Sequence, residues 1–419
     1  MQDSTFIKRV ILKNYKSIAA CDVQLQPLTF LVGRNGSGKS NFLDALRFVA
    51  DALNTSLDYA LRDRGGISDV CYRSSEHPNH INISFEFTLP KSVFGYYGFS
   101  IDSRSRGRYV VQTEECRVQR TQNNNPEVYF RIDNGKTIDT SVKVAPAAVK
   151  DRLYLVNASG LPEFRPIYDA FSQMRFYNLN PDIISDLQDP DSGDMLMQDG
   201  SNITSVMKQL SSDVKENIEE YLKLIVPNIA KVHSRKFGPK ESLQFKQYIG
   251  KNKRPLIFYP NNMSDGTIRA LGILVALFQG EDNFQKCVPL VGIEEPEIAL
   301  HPAASGVLLD AIRDAAYKKQ VIITSHSPDL LDNKDLNVES ILAVEAHDGT
   351  TAIAPIDDAS RSVIKDRLFT TGELLRLDQL QPDPISVEAA AKTKQPTLTD
   401  FLKNENIRID KKKQRTDDL

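Results

Sequence analysis

The residues most capable of chemistry lie in one glycine-rich segment near the start of the sequence. Residues 33–40 read Gly-Arg-Asn-Gly-Ser-Gly-Lys-Ser and match G-x-x-x-x-G-K-[ST] at every fixed position. Glycines let successive backbone N–H groups turn inward and approach phosphate oxygens closely. The lysine would bridge the β- and γ-phosphates of ATP, and the final serine would offer its hydroxyl to Mg²⁺. The segment and its neighbour therefore predict a nucleotide site formed by Gly33, Arg34, Asn35, Gly36, Ser37, Gly38, Lys39, Ser40 and Asn41.

Two acidic residues follow a short apolar run in the C-terminal half. Residues 289–293 read Pro-Leu-Val-Gly-Ile and lead into Glu294 and Glu295. Such runs are typical of parallel strands buried on both faces, and α/β sheets place ligands at the carboxyl ends of these strands. We therefore predict that Glu294 orients Mg²⁺ through its water shell and that Glu295 polarises the attacking water. Glu294 stands where Asp is commoner, which leaves open a protein that binds ATP and barely hydrolyses it.

A serine-containing tetrapeptide could add a second phosphate contact. It precedes the apolar residues 268–278 and consists of Ser264, Asp265, Gly266 and Thr267. Ser264 is predicted to cap a helix whose N-terminus can bind an anion. Since the glycine-rich segment already supplies one cradle, we interpret this second anion site as serving a nucleotide held by a facing copy of the chain. Ordinary helix capping is the alternative interpretation.

A histidine completes the set of candidate catalytic residues. His326 follows the apolar run 321–324 within Thr-Ser-His-Ser-Pro. A side chain at this edge of the sheet is suited to a γ-phosphate contact. The predicted catalytic residues are therefore Lys39, Glu295 and His326, with Ser40 and Glu294 as the metal-binding pair.

The N-terminal elements that must position these residues can be predicted from hydrophobic periodicity. Residues 5–33 indicate two strands joined by a turn, and 40–53 have the apolar spacing of a helix. Residues 81–89 alternate strictly between apolar and polar, as in a half-buried antiparallel strand. Further strands are expected over 109–118 and 128–132. This half therefore predicts a phosphate-binding strand–helix unit beside a β-rich lobe.

The remaining periodicity predicts a helical insertion followed by a βαβ unit. Residues 202–226 have apolar positions three or four apart, which favours one helix, and no heptad pattern extends over several repeats. Residues 288–293 and 321–324 are expected to be buried parallel strands, with a helix over 304–315 between them. The predicted fold class is α/β, a nucleotide-binding head with a β-rich lobe, a mostly parallel sheet flanked by helices, and a short helical arm.

Four regions follow from these patterns. Residues 1–158 hold the glycine-rich segment and the β-rich lobe, and 159–252 form the helical arm. Residues 253–370 hold the serine tetrapeptide, the carboxylates and the histidine, and 371–419 form a C-terminal tail predicted to be mobile.

Composition narrows the class of protein. Of the 419 residues, 41 % are hydrophobic, which is typical of a globular chain. The formal net charge is -3, which does not indicate a strongly basic nucleic-acid-binding protein. A local basic face remains compatible with this net charge. The longest apolar run, 270–278, is far short of the roughly 20 residues that span a membrane. The four cysteines form no C-x-x-C pair and predict free thiols in a reducing cytoplasm.

Taken in order, the motifs resemble those of a known group. The order is the glycine-rich loop, Ser-Asp-Gly-Thr, Glu-Glu-Pro-Glu and Thr-Ser-His-Ser-Pro, preceded by Ile-Leu-Lys-Asn-Tyr-Lys-Ser-Ile over residues 11–18. This resembles the ABC-type ATPases of the RecF, SMC and OLD group, over roughly residues 5–345. The resemblance implies two-lobed heads that dimerise around two ATP molecules, with Ser264 and Gly266 contacting the γ-phosphate across the dimer and His326 as the switch residue. For the group's glutamine loop, residues 64–67 are the candidate.

Departures from the group limit what the resemblance implies. The short arm stands where SMC proteins have a long coiled coil, which argues against tethering of chromosomes. No acidic D-x-D cluster follows His326, so we expect no TOPRIM nuclease domain of the OLD kind in this chain.

Three functions remain open from the sequence. The leading hypothesis is an ATP-hydrolysing switch that forms homodimers or higher oligomers and controls a separate effector or nuclease, in anti-phage defence. The second is a RecF-like DNA-repair ATPase that binds DNA directly, and the third is a weakly hydrolysing scaffold that binds ATP. In the tail, residues 395–402 resemble a sliding-clamp-binding peptide; a short helix docked on the chain itself is the alternative.

Overall fold

The computed structural model describes residues 6–73, 78–90, 93–120, 127–250, 254–281, 288–333 and 336–393. Three sheets organise these residues. The largest is antiparallel, in the order β2-β1-β4-β5-β6-β7-β8. Its strands are β1 (Ile7–Tyr15), β2 (Ile18–Gln24), β4 (His80–Leu89), β5 (Val93–Ser103), β6 (Tyr109–Arg120), β7 (Val128–Asp133) and β8 (Lys136–Thr140).

A six-stranded sheet, in the order β16-β15-β3-β14-β13-β9, lies at the centre of the second layer. All its neighbours run parallel except β15 and β16. Its strands are β3 (Leu28–Val32), β9 (Arg175–Tyr177), β13 (Leu290–Glu294), β14 (Gln320–Ser325), β15 (Ile341–His347) and β16 (Thr350–Pro355). A third sheet has three antiparallel strands, β10 (Ile229–Phe237), β11 (Lys240–Gln247) and β12 (Leu256–Phe258).

Fourteen helices connect and cover these sheets in the described parts of the chain. They are α1 (Lys39–Asn54), α2 (Leu57–Arg62), α3 (Ile67–Val70), α4 (Tyr154–Ala158), α5 (Arg165–Ser172), α6 (Pro181–Ser185), α7 (Ile203–Gln209), α8 (Ser212–Ile225), α9 (Asp265–Phe278), α10 (Ser305–Ala316), α11 (Pro328–Leu331), α12 (Asp358–Lys365), α13 (Thr371–Arg376) and α14 (Pro384–Lys392). None of them is both long enough and apolar enough to cross a bilayer.

Helix α9 explains how one layer of the core is built. Every residue from Gly266 to Phe278 is buried, and α8, α6 and α10 pack against the helix. A helix that is apolar all round must be covered on every side. Its N-terminus, by contrast, is exposed at Ser264 and Asp265.

The β-rich lobe is packed around aromatic side chains. The ring of Phe171, on α5, lies 5.1 Å from that of Phe6 and 5.3 Å from that of Phe85. It also meets Phe87 edge-on at 5.4 Å. Such pairs add to the area that they bury, so α5 anchors the antiparallel sheet to the rest of the head.

The predicted α/β class, with a β-rich lobe and a mostly parallel sheet, is confirmed. Two element boundaries were wrong. Residues 5–33 form three strands, because the chain turns at Gln26–Pro27 before β3. The single helix predicted over 202–226 is two helices, because Ser211 accepts a hydrogen bond from the N–H of Val214 and starts α8.

The region predicted as a helical arm contains strands as well as helices. Within 159–252, β9 is an edge strand of the central sheet and pairs in parallel with β13. The helices α6, α7 and α8 pack on α9, and β10 and β11 form a hairpin beside them. Short strands such as β9 carry too few residues for periodicity to separate them from helices.

The tail predicted to be mobile from residue 371 is ordered as far as residue 393. Arg376 pairs with Asp329 at 2.7 Å and with Asp332 at 2.5 Å, which holds α13 against α11. Thr393 donates to Asp22 at 2.9 Å, which fastens the end of α14 to β2. These polar contacts join positions that are 44, 47 and 371 residues apart, and sequence pattern does not reveal them. The clamp-like peptide 395–402 lies outside the described residues.

Candidate nucleotide site

The glycine-rich segment forms a tight loop between β3 and α1. Gly36 and Gly38 have φ angles of 79° and 101°, in the left-handed region that favours glycine. A Cβ on Gly38 would lie 2.1 Å from Oγ1 of Thr351, whereas one on Gly36 would meet nothing within 4 Å. The loop is therefore closed against β16 on one side and open on the other.

Lys39 is folded back onto this loop. Its Nζ donates to the carbonyl oxygens of Gly33 at 2.8 Å and Arg34 at 2.9 Å. The residue is 5 % exposed, and burial lowers the pKa of its ammonium group, against the opposing effect of Glu295, Glu297 and Glu294. The ammonium group thus lies among three carboxylates and is held by main-chain oxygens.

The loop is braced by a chain of hydroxyl and amide contacts. Asn41 donates to Ser17 at 2.6 Å, and Ser17 lies 2.7 Å from Thr351. Thr351 in turn donates to the carbonyl oxygen of Ser37 at 2.9 Å. Ser17 lies between β1 and β2 and Thr351 on β16, so both lobes hold the loop in place.

Ser40 and Glu294 meet across the site. The hydroxyl of Ser40, on α1, donates to Oε2 of Glu294 at 2.5 Å. Glu294 is the last residue of β13, and its register places it opposite Thr324 of β14. The parallel order β3-β14-β13 brings these strand ends to one edge.

Glu295 and His326 form the next pair along that edge. Nδ1 of His326 lies 3.1 Å from Oε1 of Glu295. Glu295 has a φ angle of 44°, a conformation that non-glycine residues rarely adopt, and its N–H donates to the carbonyl oxygen of Thr324 at 3.0 Å. The strained backbone aims the carboxylate at the histidine.

Two buried charged residues lie behind this pair. Glu297 accepts a hydrogen bond from the hydroxyl of Ser325 at 2.6 Å, and burial raises the pKa of its carboxyl group. Arg269, on α9, donates to the carbonyl oxygens of Leu179 at 2.9 Å and of Glu294 and Glu295 at 3.2 Å each. Arg269 thus connects the buried helix to the main chain of both Glu294 and Glu295.

The serine tetrapeptide lies at the start of α9, as predicted. Ser264 caps the helix by accepting from the N–H of Thr267 at 3.3 Å. A Cβ on Gly266 would lie 2.2 Å from the carbonyl oxygen of Ala299, so the cap sits against the loop after Glu295. Among the described residues, no hydrogen bond or ion pair joins residues 264–267 to residues 33–41.

The chain is similar to known proteins. Residues 28–332 match the family model described as "AAA domain, putative AbiEii toxin, Type IV TA system". The chain is 24 % identical to the OLD nuclease of Thermus scotoductus over 349 residues, which are 78 % of this chain and 60 % of that protein. It is 35 % identical to the DNA replication and repair protein RecF of Vibrio vulnificus over 88 residues, 21 % of this chain and 23 % of RecF.

The chain belongs to this AAA-domain family, as an ABC-type ATPase of the RecF, SMC and OLD group. It spans 60 % or less of the length of either relative. Among solved structures, it is similar to an SMC head bound to the C-winged helix domain of ScpA, with 15 % identity and a TM-score of 0.49, covering 85 % of this chain and 99 % of that one.

Several residues around this candidate site were not predicted from the sequence. A cavity of about 410 Å³ adjoins the glycine-rich loop, and its far wall comes from the C-terminal segment. It is lined by Gly33, Arg34, Asn35, His326, Pro328, Leu375, Arg376 and Asp378. Leu375, Arg376 and Asp378 line the cavity only because α13 packs beside α11. The sequence carries no motif that indicates this packing.

The candidate for the glutamine loop, residues 64–67, lies elsewhere in the ATPase. The side chain of Arg64 is 2 % exposed and pairs with Asp44 at 3.0 Å and Asp51 at 2.8 Å on α1. The exposed Asn178 instead follows β9, and its neighbour Tyr177 pairs with Ile293. Asn178 is therefore the first residue after the last pair of β9 with β13, and no motif in the sequence indicated it.

Proposed function

We propose that this chain hydrolyses ATP and that two copies complete each other's sites, so that ATP binding joins them and hydrolysis releases them. The observation that carries the proposal is the line of paired side chains at one sheet edge. Ser40 contacts Glu294, Glu295 contacts His326, and Lys39 lies beneath them. These are the donors and acceptors that phosphoryl transfer to water requires.

The residues present fit a magnesium nucleotide. The hydroxyl of Ser37 is buried and has no hydrogen-bond partner in the described part of the chain, as expected of a group that awaits a phosphate oxygen. Ser40 and Glu294 offer the oxygen atoms that Mg²⁺ prefers. When bound there, Mg²⁺ would neutralise charge on the β- and γ-phosphate oxygens.

Each residue then has a distinct task. Lys39 exchanges its two carbonyl contacts for phosphate oxygens. Glu295 accepts a proton from the attacking water, and His326 holds the Glu295 carboxylate and reaches the γ-phosphate. Arg269 fixes the main chain of both carboxylates, so that their side chains start from one position.

A second copy supplies the missing contact. The exposed cap at Ser264 is a helix N-terminus that can bind an anion, and it is separate from the chain's own glycine-rich loop. A two-fold arrangement would present each cap to the other copy's nucleotide, because a symmetric interface uses the same patch twice.

The test is phosphate release by the purified chain, with Glu295→Gln and, as a matched control, the exposed Glu345→Gln. Loss of a general base is expected to lower the rate by about 10²–10⁴, with no change for the control. Light scattering of Glu295→Gln with ATP should give twice the monomer mass. A release rate unaffected by Glu295→Gln would exclude the enzymatic proposal.

The finer proposal is that the switch controls a separate effector in anti-phage defence. The family description names a toxin–antitoxin system and one relative is an OLD nuclease, and both support an effector setting. Co-expression with neighbouring reading frames, followed by purification with and without ATP, tests it. A complex that forms only with one nucleotide state supports control in trans.

The alternative of a RecF-like repair ATPase predicts tight, ATP-dependent binding of duplex DNA by the chain alone. The alternative of a scaffold is favoured by Glu294 in place of the commoner Asp. It predicts ATP-dependent assembly with a phosphate-release rate that Glu295→Gln does not change.

A further inference from the structure

The sequence segment that includes the three-stranded sheet is rich in positive charge. Between residues 229 and 259 the sequence has six lysines and two arginines against a single acidic residue, Glu241, although the whole chain carries a net charge of -3. Glu241 itself is fully buried and paired with Lys208. It therefore neutralises none of the charge on the sheet surface.

The strand register separates an apolar face from a basic face. Val232 pairs with Phe245 and Ser234 with Leu243, and the apolar members are buried in the core. Side chains of cross-strand partners point to the same side of a sheet, and alternate residues point to opposite sides. The other face consequently holds the pairs Lys231–Lys246, His233–Gln244, Arg235–Ser242 and Phe237–Lys240.

Three cations on this face have no acidic partner among the described residues, and we call Lys231, Arg235 and Lys246 the basic face. Lys231 and Arg235 are exposed and Lys246 is half-buried. No carboxylate of the described residues lies within ion-pair distance of any of them. Lys240, by contrast, is paired with Asp189 at 2.8 Å and is not counted.

The arrangement is unfavourable in the free protein. Lys231 lies directly opposite Lys246, and like charges in such cross-strand pairs destabilise a sheet. The pKa of His233, in the next cross-strand pair on this face, is lowered by burial first and then by Lys246, against the opposing effect of Glu219. An anionic ligand across the two strands would relieve this repulsion.

Arg235 is preorganised for such a ligand. Its guanidinium carbon lies 5.5 Å from the ring centroid of Phe237, and its Nη1 donates to the hydroxyl of Tyr259 at 3.2 Å. Phe237 and Tyr259 meet edge to face at 5.5 Å. The planar donor group of arginine matches phosphate geometry, and fixing it beforehand lowers the entropy lost on binding.

We propose that the basic face binds the phosphate backbone of duplex DNA. The two aromatic rings contact each other and are not free as platforms for unstacked bases, which argues against a single strand. The uncharged polar side chains of this face, Ser242 and Gln244, are buried, so contacts are made to phosphates without reading base edges or 2′-hydroxyls.

The basic face adjoins the candidate composite site. Strand β12 ends at Phe258, Tyr259 precedes the 3₁₀ turn Pro260–Asn262, and Ser264 then caps α9. DNA held on the sheet would thus lie a few residues from the serine that we assign to a facing nucleotide. Binding itself requires no ATP, so this inference goes beyond the proposed ATPase and can fail separately from it.

The test is fluorescence anisotropy of a labelled DNA duplex with the full chain, without nucleotide, over a range of salt concentrations. The variant is Lys231→Ala/Arg235→Ala/Lys246→Ala. Its matched control, Arg62→Ala/Arg73→Ala/Lys392→Ala, removes the same charge from side chains that are 78 %, 77 % and 74 % exposed on other elements. Thermal melting checks that both variants fold.

The triple variant of the basic face is expected to bind about 10-fold or more weakly at low salt, with a log–log salt slope less negative by roughly 2–3, since each phosphate contact contributes about 0.9. The control should bind like the wild type. A duplex RNA of the same length should bind no more tightly than the DNA.

Four results would overturn the proposal. The first is that the chain does not bind DNA at low salt, and the second is that the two triple variants weaken DNA binding equally. The third is that duplex RNA binds at least 10-fold more tightly than DNA. The fourth is that polyglutamate displaces the DNA at an equal concentration of charge. The last would assign the surface to an acidic protein.

Discussion

The carboxylate of Glu295 and the imidazole of His326 lie 3.1 Å apart, although the residues follow different strands. Parallel pairing of β13 with β14 brings the two strand ends together. The left-handed backbone of Glu295 turns its side chain toward the histidine. The contact can hold the carboxylate in one orientation before nucleotide binds.

Replacing the histidine therefore tests the pair. His326→Ala should lower the rate of phosphate release by about 10–10³ while leaving ATP affinity within a few-fold, because one preorganised contact to the reacting group is lost. The exposed His347→Ala is the matched control. A large rise in the Kd for ATP with an unchanged turnover rate would contradict this role.

A mixing experiment tests whether the site is shared between copies. Lys39→Ala and Ser264→Arg should each be inactive alone, since one removes the loop lysine and the other blocks the cap. In a mixed symmetric dimer one of the two sites is intact, so equal amounts should recover about a quarter of wild-type activity. If the mixture stays as inactive as either variant, the two residues act in the same copy.

Replacing Arg269 is expected to lower the stability of the fold as well as the turnover rate. Arg269→Met would leave the carbonyl oxygens of Leu179, Glu294 and Glu295 without this donor, at a cost of roughly 2–5 kcal/mol in the free energy of unfolding. Urea unfolding measures this effect. Arg62→Met, at an exposed site, should stay within about 0.5 kcal/mol of wild type. Equal changes in the free energy of unfolding for the two substitutions would contradict a stabilising contact between α9 and the main chain of Glu294 and Glu295.

The β-rich lobe should make stability depend on pH through Glu114. Burial raises the pKa of this carboxyl group to about 7, against hydrogen bonds from the N–H groups of Tyr154 and Leu155 and from the hydroxyl of Tyr97. The folded state therefore binds more protons than the unfolded state between the ordinary carboxyl pKa and about 7. Stability from this group is fully present at low pH and is lost as pH rises through that window, by about 3 kcal/mol in total.

Urea unfolding at several pH values measures this dependence. Glu114→Gln should flatten the curve across the window, because a neutral amide does not titrate. The exposed Glu345→Gln should keep the wild-type slope. A Glu114→Gln curve parallel to wild type would show that other groups control the pH dependence.

The sequence by itself determined which short segments could hold a nucleotide. The glycine-rich loop, the Glu294–Glu295 pair and His326 could be predicted because each is a short run whose residue types dictate its local backbone and donors. The rule that strands present ligands at their carboxyl ends then indicated that these runs meet. The fold class followed from the same periodicity, whereas the boundaries at Ser211 and β3 did not.

Only the tertiary structure decided which distant residues support the site. Thr351 braces the loop at Ser37, Arg269 reaches the main chain of Glu295, and Tyr177 pairs with Ile293, all through contacts between remote positions. Likewise, lysines scattered over β10 and β11 became one basic face only through the register of the hairpin. Side-chain proximity across strands depends on pairing and register, and a one-residue shift would send each side chain to the opposite face.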